Sequence, residues 1–573
     1  MGLALAGRPV EAPLPAAPRA APGALLRSAQ AVAAAGLLFA GVVLLQARAG
    51  AFDSEFGAHP DESAHYVTGL MVRQYLASGS WSSPMSFAED YYIHYPKVAF
   101  GQWPPLFYAV QAGWTLPFSP SRHSVLLLMA ALTTGLAWSL FLSARGHCGA
   151  LPALALALVL VASPLVQKAS SMVMAETLVA LLCFQAALGF GRFIDGGGQW
   201  RHAVLFGAWT VAALLAKGNA MALVLMVPVA LLLAGRLPLA LRPALWSSGA
   251  MVVVLCGPWY WLTAGMAQQN FMGGPGPNLG YARFASWFYL WHLARAVGWG
   301  MVALAALGLA ATARATWVRR RGQLAAAAAL VLATWVFHLL MPSSREPRHM
   351  IMAVAPLLLL AGAGLAWIEQ RLRAQDASRR AALALAALLV FALDAFAVPP
   401  KAWRGFSGVA ERLVSDEGFD GSNVLVCSDE RGEGMFISEV ARRQPRPRRL
   451  VLRASKVLAR SGWNGEGYQL LHDRPEELQQ YLEGAGVAAV VLDESAPAAA
   501  FPHHRMLRET LARDGRWAPM GSFPLDRAGM DAPPGIVMYR WMGAPPRQTI
   551  AVDPRELLRG KRVLPLSPSP EAR

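Results

Sequence analysis

His59-Pro60-Asp61-Glu62-Ser63-Ala64-His65-Tyr66 sets two carboxylates side by side between histidines, just ahead of a helix-like stretch from Val67 to Ala77. A carboxylate held partly out of water can take the proton of an acceptor hydroxyl, so the functional reading makes Asp61 the general base and Glu62 its support. Two other readings fit the same residues. Acids at a helix start complement the positive end of the macrodipole. Asp61-Glu62-x-x-His65 also has HExxH spacing with the first histidine replaced, which makes Asp61, Glu62 and His65 candidate ligands of a divalent cation. Farther along come Tyr91-Tyr92-Ile93-His94-Tyr95-Pro96-Lys97 and Gly101-Gln102-Trp103-Pro104-Pro105-Leu106. Tyr and Trp gather at membrane interfaces on general grounds. A lysine among them is more informative, because at headgroup level Lys97 could pair with a lipid phosphate as a point charge.

The elements that must position these residues are apolar. Of 573 residues, 55% are apolar and only 15% charged, with a mean hydropathy of +0.36. That charge share is well under the roughly 25% of a soluble domain, which excludes a single water-soluble globule and excludes disorder. The net charge of +16 is uneven: residues 1–400 carry 26 Lys/Arg against 13 Asp/Glu, and 401–573 carry 25 against 22. The excess sits in the apolar part, where it orients membrane helices, so no nucleic-acid partner is expected. Cys148, Cys183, Cys256 and Cys427 are too scattered for a disulfide framework or a zinc site.

Runs long enough to cross a bilayer fall near 29–47, 124–143, 149–167, 173–190, 202–216, 218–234, 243–263, 290–312, 324–341, 349–368 and 381–398, eleven in all. Arg8, Arg19 and Arg27 precede the first run, which reads as an uncleaved anchor rather than a signal peptide because ten more follow. With the N-terminus in the cytoplasm, Arg145, Arg192 and Arg201, Arg236 and Arg242, Arg314 with Arg319 to Arg321, and Arg371, Arg373, Arg379 and Arg380 all lie on the cytoplasmic side. This parity requires 104–118 to lie along the surface or re-enter rather than span. The other face then collects loop 48–123, which holds six of the 13 acids of the first 400 residues, and the turns at Lys168, Lys217 and 342–349.

After Pro399-Pro400 the composition becomes soluble. Val424 to Ser428 and Val487 to Asp493 read as strands and Pro475 to Gly484 as a helix. The expected fold is therefore mainly α: a transmembrane bundle of about 11–13 spans over 29–398, with outer loop 48–123, followed by a small α/β domain at 399–562. Residues 1–28 are expected to form a disordered cytoplasmic tail and 563–573 a disordered end. The basic run from Arg442 to Arg449 reads as an exposed loop.

Asp61-Glu62 after the first span, Lys97 followed by Trp103-Pro-Pro-Leu106, Ala175-Glu176-Thr-Leu at a span start, Lys217-Gly218, and Arg348-His349 before a span containing Pro356 together resemble the GT-C membrane glycosyltransferases. More narrowly they resemble the protein mannosyltransferase and aminoarabinose transferase branch, glycosyltransferase family 39 with its Rgt-like members. The resemblance covers roughly residues 29 to 370. It implies a multispanning bundle that takes a sugar from a polyprenyl phosphate on the periplasmic face, with Asp61 or Glu62 activating the acceptor. The family's His-Pro-Pro-Leu reads Trp103-Pro104-Pro105-Leu106 here, with His94 as the stand-in for that histidine.

The chemistry of the residues agrees. A departing polyprenyl phosphate gains negative charge, which fixed cations in a partly dry site stabilise. Lys97, Lys217, Arg345, Arg348 and His349 are the cations expected on the outer side, and His94, Tyr95, Trp103 and Glu176 the groups expected around sugar or acceptor. Plainer readings stand beside these: Arg345-Glu346-Pro347-Arg348 as an internal salt-bridge turn, Lys217 as a snorkelling helix end, Glu176 as a helix-start acid. The glycine-rich loop Phe271 to Tyr281 reads either as a lid or as a loop ahead of an aromatic belt.

The expected activity is transfer of a sugar from a polyprenyl-phosphate donor to a lipid, glycan or protein acceptor, in a bacterial inner membrane with the site facing the periplasm. The rivals are a membrane metallohydrolase built on Asp61, Glu62 and His65, and a transporter or flippase of lipid-linked sugars.

Overall fold

The computed structural model describes residues 22–79, 83–99, 101–267, 278–314, 321–342, 345–372, 376–444, 448–460, 467–527 and 535–543. The lid reading at 271–277, both terminal tails, Arg319, Arg320, Arg373 and positions 445–447 of the basic run lie outside these residues.

The apolar runs become helices: α1 (Pro22–Arg48), α2 (Pro60–Ala77), α3 (Pro84–His94), α4 (Leu106–Thr115), α5 (Arg122–Cys148), α6 (Ala150–Ala162), α7 (Pro164–Ser170), α8 (Glu176–Asp195) and α9 (Trp200–Ala216). They continue as α10 (Ala222–Leu233), α11 (Pro243–Ala267), α12 (Leu279–Val297), α13 (Trp299–Arg314), α14 (Arg321–Leu340), α15 (Ile351–Arg371) and α16 (Ala377–Asp394). Among the described residues six helices are long and apolar enough to span a membrane, and eight if each of two bent pairs is one span. This is an integral membrane protein.

The eleven apolar runs all coincide with helix, but not all as single straight spans. The run 149–167 breaks at Ser163-Pro164, where α6 and α7 meet at 63°, because proline ends the donor ladder. The run 290–312 crosses Gly298 (φ +86°), where α12 and α13 turn by 102°; hydropathy alone cannot see a turn made by one glycine. The run 381–398 falls on α16, whose Arg379, Arg380 and Asp394 make it too charged to count as an apolar span. Residues 106–115 form the short α4, consistent with a surface or re-entrant segment.

Between α13 and α15 the backbones touch. A Cβ at Gly308 would overlap the Leu360 carbonyl, and one at Gly364 the Leu304 carbonyl. Small residues permit this approach in membrane bundles. Gly308→Val is therefore expected to destabilise by about 1–3 kcal/mol through overpacking, read as a lowered thermal midpoint in detergent. An unchanged midpoint would show that the two helices part easily.

The chain beyond α16 builds a mixed sheet. In chain order its strands are β1 (Asn423–Cys427), β2 (Val451–Arg453), β3 (Val487–Asp493), β4 (Trp517–Pro524) and β5 (Gly535–Trp541). Their spatial order is β2-β1-β3-β5-β4, with β1 parallel to β2 and β3, and β5 antiparallel to β3 and β4. β1 is buried along its whole length, as a central parallel strand requires. Helices α17 (Phe406–Ser415) and α18 (Glu430–Arg443) press this layer onto the first outer loop. A Cβ at Gly434 of α18 would collide with Ser63 of α2, and one at Gly57 with Met435. Buried Glu55 accepts N–H bonds from Gly405 (3.1 Å), Phe406 (3.1 Å) and Ser407 (2.8 Å) at the start of α17, capping that helix with an acid from the opposite segment. Arg122 at the start of α5 meets Glu439 of α18 at 3.1 Å. The helix that carries Asp61 is thus clamped between bundle and sheet.

Candidate active site

Pro60 opens α2 with its fixed φ, and the His59 ring caps it by accepting the Asp61 N–H at 3.1 Å. Asp61 therefore sits in the first helical turn, its side chain 22% exposed. Arg348 reaches it from the short 3₁₀ turn ahead of α15, Nη2 to Oδ2 at 3.3 Å. The same guanidinium meets Glu176, the first residue of α8, at 3.0 Å and Glu346 at 2.7 Å. Lys217, at the end of α9, donates to Glu176 Oε1 at 2.6 Å. His59 Nε2 closes the ring on Glu346 at 3.2 Å. Four segments remote in sequence thus place Asp61, Glu176, Lys217 and Arg348 in one ion network whose burial is graded: Glu176 is 4% exposed, Lys217 13%, Arg348 15% and Asp61 22%. Asp61 is the most open of the four.

Lys97 approaches from the side of the sheet. Its Nζ lies 3.4 Å from the Glu430 carbonyl at the start of α18. Burial, with Arg453 adding repulsion, pushes its ammonium down to about 7, against the opposing pull of Asp61, Glu433 and Glu430. Trp103 stacks on His65, centroids 4.2 Å apart and planes at 25°. His65 Nδ1 pairs with the Tyr108 hydroxyl at 2.9 Å. Burial drives the His65 ring down to about 3, so it is neutral.

Other expected residues lie elsewhere. Glu62 is fully buried, one oxygen on Lys401 Nζ at 2.6 Å and the other accepting the Ala58 N–H at 3.0 Å. Its Lys401-bound oxygen also accepts the Val173 N–H at 3.3 Å, so Glu62 braces the fold. Tyr95 is buried against Gln444 at 3.4 Å under the sheet layer rather than in the network. His94 turns back on its own helix to the Asp90 carbonyl at 2.8 Å. Arg345 stacks its guanidinium on Phe284 at 4.4 Å. His349 stacks on His338 at 4.7 Å and pairs with the Tyr289 hydroxyl at 3.1 Å, beside Arg348. Among the described residues no three His, Cys, Asp or Glu side chains converge as a metal site, and Asp61, Glu62 and His65 each face a different partner. Sequence reasoning missed Lys401, Tyr108 and His338. Two of them carried a signal: Lys401 as a cation right after Pro399-Pro400, and Tyr108 as the end of the aromatic stretch that runs on from Trp103-Pro-Pro-Leu106.

The helical bundle with its C-terminal sheet has a fold shared by solved structures of other proteins. In particular, the chain is similar to ArnT from Cupriavidus metallidurans bound to undecaprenyl phosphate, at a TM-score of 0.55 and 15% identity over 91% of this chain and 98% of that one. The apo state of the same protein gives 0.56 at 16% identity over 90% and 98%. The oligosaccharyltransferase AglB from Archaeoglobus fulgidus, in complex with an inhibitory peptide and a dolichol-phosphate, gives 0.53 at 12% identity over 89% of this chain and 75% of that one. No known sequence family and no curated protein matches the chain.

Proposed function

We propose that the protein is a membrane glycosyltransferase that moves a sugar from a polyprenyl-phosphate donor to a hydroxyl or similar group of a lipid, glycan or protein, on the periplasmic face of a bacterial inner membrane. The observation that carries this reading is the meeting of Asp61 with Arg348 and Lys217 in one network, within a fold whose solved examples hold undecaprenyl phosphate or dolichol-phosphate.

In this reading Asp61 accepts the proton of the acceptor hydroxyl as its oxygen attacks the anomeric carbon. The bond from that carbon to the phosphate oxygen breaks, its electron pair stays on the phosphate, and attack from the opposite face inverts the centre. Arg348 and Lys217 stabilise the growing phosphate charge. Arg348 already serves three carboxylates, so an arriving phosphate can take over one of those contacts. Glu176 holds both cations in place.

Two features favour this over the rivals. Glu176, Lys217 and Arg348 all sit at helix ends, which fits chemistry at the bilayer surface, whereas the two bent helix pairs break at the uncharged Ser163 and Gly298 rather than at the charged breaks of a transporter. A metallohydrolase would need Asp61, Glu62 and His65 to converge on one ion, but Glu62 is held by Lys401 and among the described residues the three do not form such a group. Glycan analysis of a deletion strain tests the proposal: one sugar disappears from an envelope lipid, glycan or protein. An unchanged glycan profile would reject it.

Lys97 adds a pH dependence. Its ammonium is charged below about 7 and neutral above, so undecaprenyl phosphate binding is expected to weaken as pH rises from 6 to 8. The phosphate titrates too, so the comparison is with Lys97→Arg, which stays charged. The wild-type affinity should fall up to about tenfold per pH unit above 7 relative to that variant. Parallel pH profiles would remove Lys97 from the phosphate.

A further inference from the structure

Glu176 Oε2 and His65 Nε2 are among the buried polar atoms around the network that have no partner among the described residues. Both side chains are more than nine-tenths buried, His65 at 1% and Glu176 at 3% exposure. An unpaired buried acceptor costs free energy, and native proteins leave few of them. The two belong to one neighbourhood: His65 lies one turn after Asp61 on the same face of α2, and Asp61 and Glu176 both contact the Arg348 guanidinium, at 3.3 and 3.0 Å.

The rest of each side chain is spoken for. Glu176 Oε1 takes both Lys217 and Arg348, leaving Oε2 as an acceptor. His65 is wedged against Trp103 on one side, with Phe107 edge-on at 5.5 Å and Tyr108 at its Nδ1, so its ring cannot turn away. If the Tyr108 hydroxyl donates to Nδ1, the neutral ring carries its proton on Nε2. The site then offers one donor and one acceptor, which is the complement of a hydroxyl group: its hydrogen to Glu176, its lone pair to His65.

We propose that Glu176 Oε2 and His65 Nε2 together bind one ring hydroxyl of the donor sugar, with Trp103 as the aromatic wall beside it, making His65 a specificity-determining residue. This rests on the glycosyltransferase reading and assigns its sugar subsite. It separates two duties in the network, Arg348 and Lys217 for the phosphate and His65 with Glu176 for the sugar. A sugar lacking that hydroxyl would leave both groups unpaired, and one presenting an ether there would leave Glu176 without a donor, so both would be rejected, as sites built for a hydroxyl reject analogues without one.

The test uses the full-length protein in nanodiscs and two readouts: binding of undecaprenyl phosphate, which carries no sugar, and restoration of the missing envelope sugar in a deletion strain. His65→Phe keeps the ring stacked on Trp103 but removes both nitrogens. It should bind undecaprenyl phosphate within twofold of wild type and transfer at least tenfold less sugar. His65→Gln, which returns an N–H at similar reach, should recover part of that loss, a rescue that a purely structural role would not give. Wild-type transfer by His65→Phe would overturn the inference while leaving the glycosyltransferase reading intact, and would mean that water alone fills the site. Equal failure of both variants with lost undecaprenyl phosphate binding would make His65 a structural residue and overturn it as well. If the wild-type protein neither binds undecaprenyl phosphate nor restores any sugar, the underlying reading fails and this inference with it.

Discussion

Asp61→Asn is expected to transfer sugar about 10²–10⁴-fold more slowly than wild type, the usual contribution of a positioned general base, while binding undecaprenyl phosphate with little change. The amide is isosteric and can still accept from Arg348 at the 3.3 Å position, so the network keeps its shape and only the proton acceptor is lost. The loss should therefore appear in kcat rather than in KM. Asp61→Glu should retain some activity. A variant that transfers normally would move the base elsewhere, and one that no longer binds undecaprenyl phosphate would show that Asp61 holds the site together instead.

The second large effect concerns stability. Lys401 is 3% exposed and Glu62 wholly buried, 2.6 Å apart. Lys401 also donates to the Ser171 carbonyl at 2.8 Å, and its own N–H binds the Ala49 carbonyl at 2.7 Å. One side chain thus ties the first turn of α2, the approach to α8 and the linker into the sheet. Lys401→Met leaves a buried carboxylate without its counter-ion, which costs about 3–5 kcal/mol. The fall in thermal midpoint should be accompanied by lost transfer, because Asp61 adjoins Glu62. Adding Glu62→Gln to Lys401→Met removes the stranded charge and should recover most of the stability. If the single and double variants unfold alike, the pair is not the tie described here.

The bundle was legible because apolar length leaves little freedom. Each of the eleven runs sits on helix, and three of the network residues were visible as charges at the ends of those runs on one side of the membrane. Glu176, Lys217 and Arg348 share that trait, Asp61 stood out instead as half of a carboxylate pair in the loop after the first run, and the structure joins all four. What the sequence hid depends on long-range pairing or on single backbone torsions. Glu62 and Lys401 are 339 positions apart, so the neighbouring acids Asp61 and Glu62 looked equivalent although one faces the network and the other a buried lysine. The turn at Gly298 is one residue in an apolar run. Tyr95 looked like a sugar platform because the loop is aromatic, yet α18 packs over it, and nothing local to residues 84–97 foretells which face a later domain will cover. His65 read as a metal ligand on spacing alone; the stack with Trp103 and the bond to Tyr108 come from α4 and the turn before it, some forty residues on.

The central claim is that the network is where the lipid phosphate binds. An experimental structure of the protein with undecaprenyl phosphate in nanodiscs tests it most directly. The account predicts phosphate oxygens about 3 Å from the nitrogens of Arg348 or Lys217, with Lys97 turned toward the same group and at least one carboxylate of the network displaced. A phosphate held more than a Debye length away, about 10 Å, with the contacts of Arg348 to Asp61 and Glu176 unbroken, would contradict it.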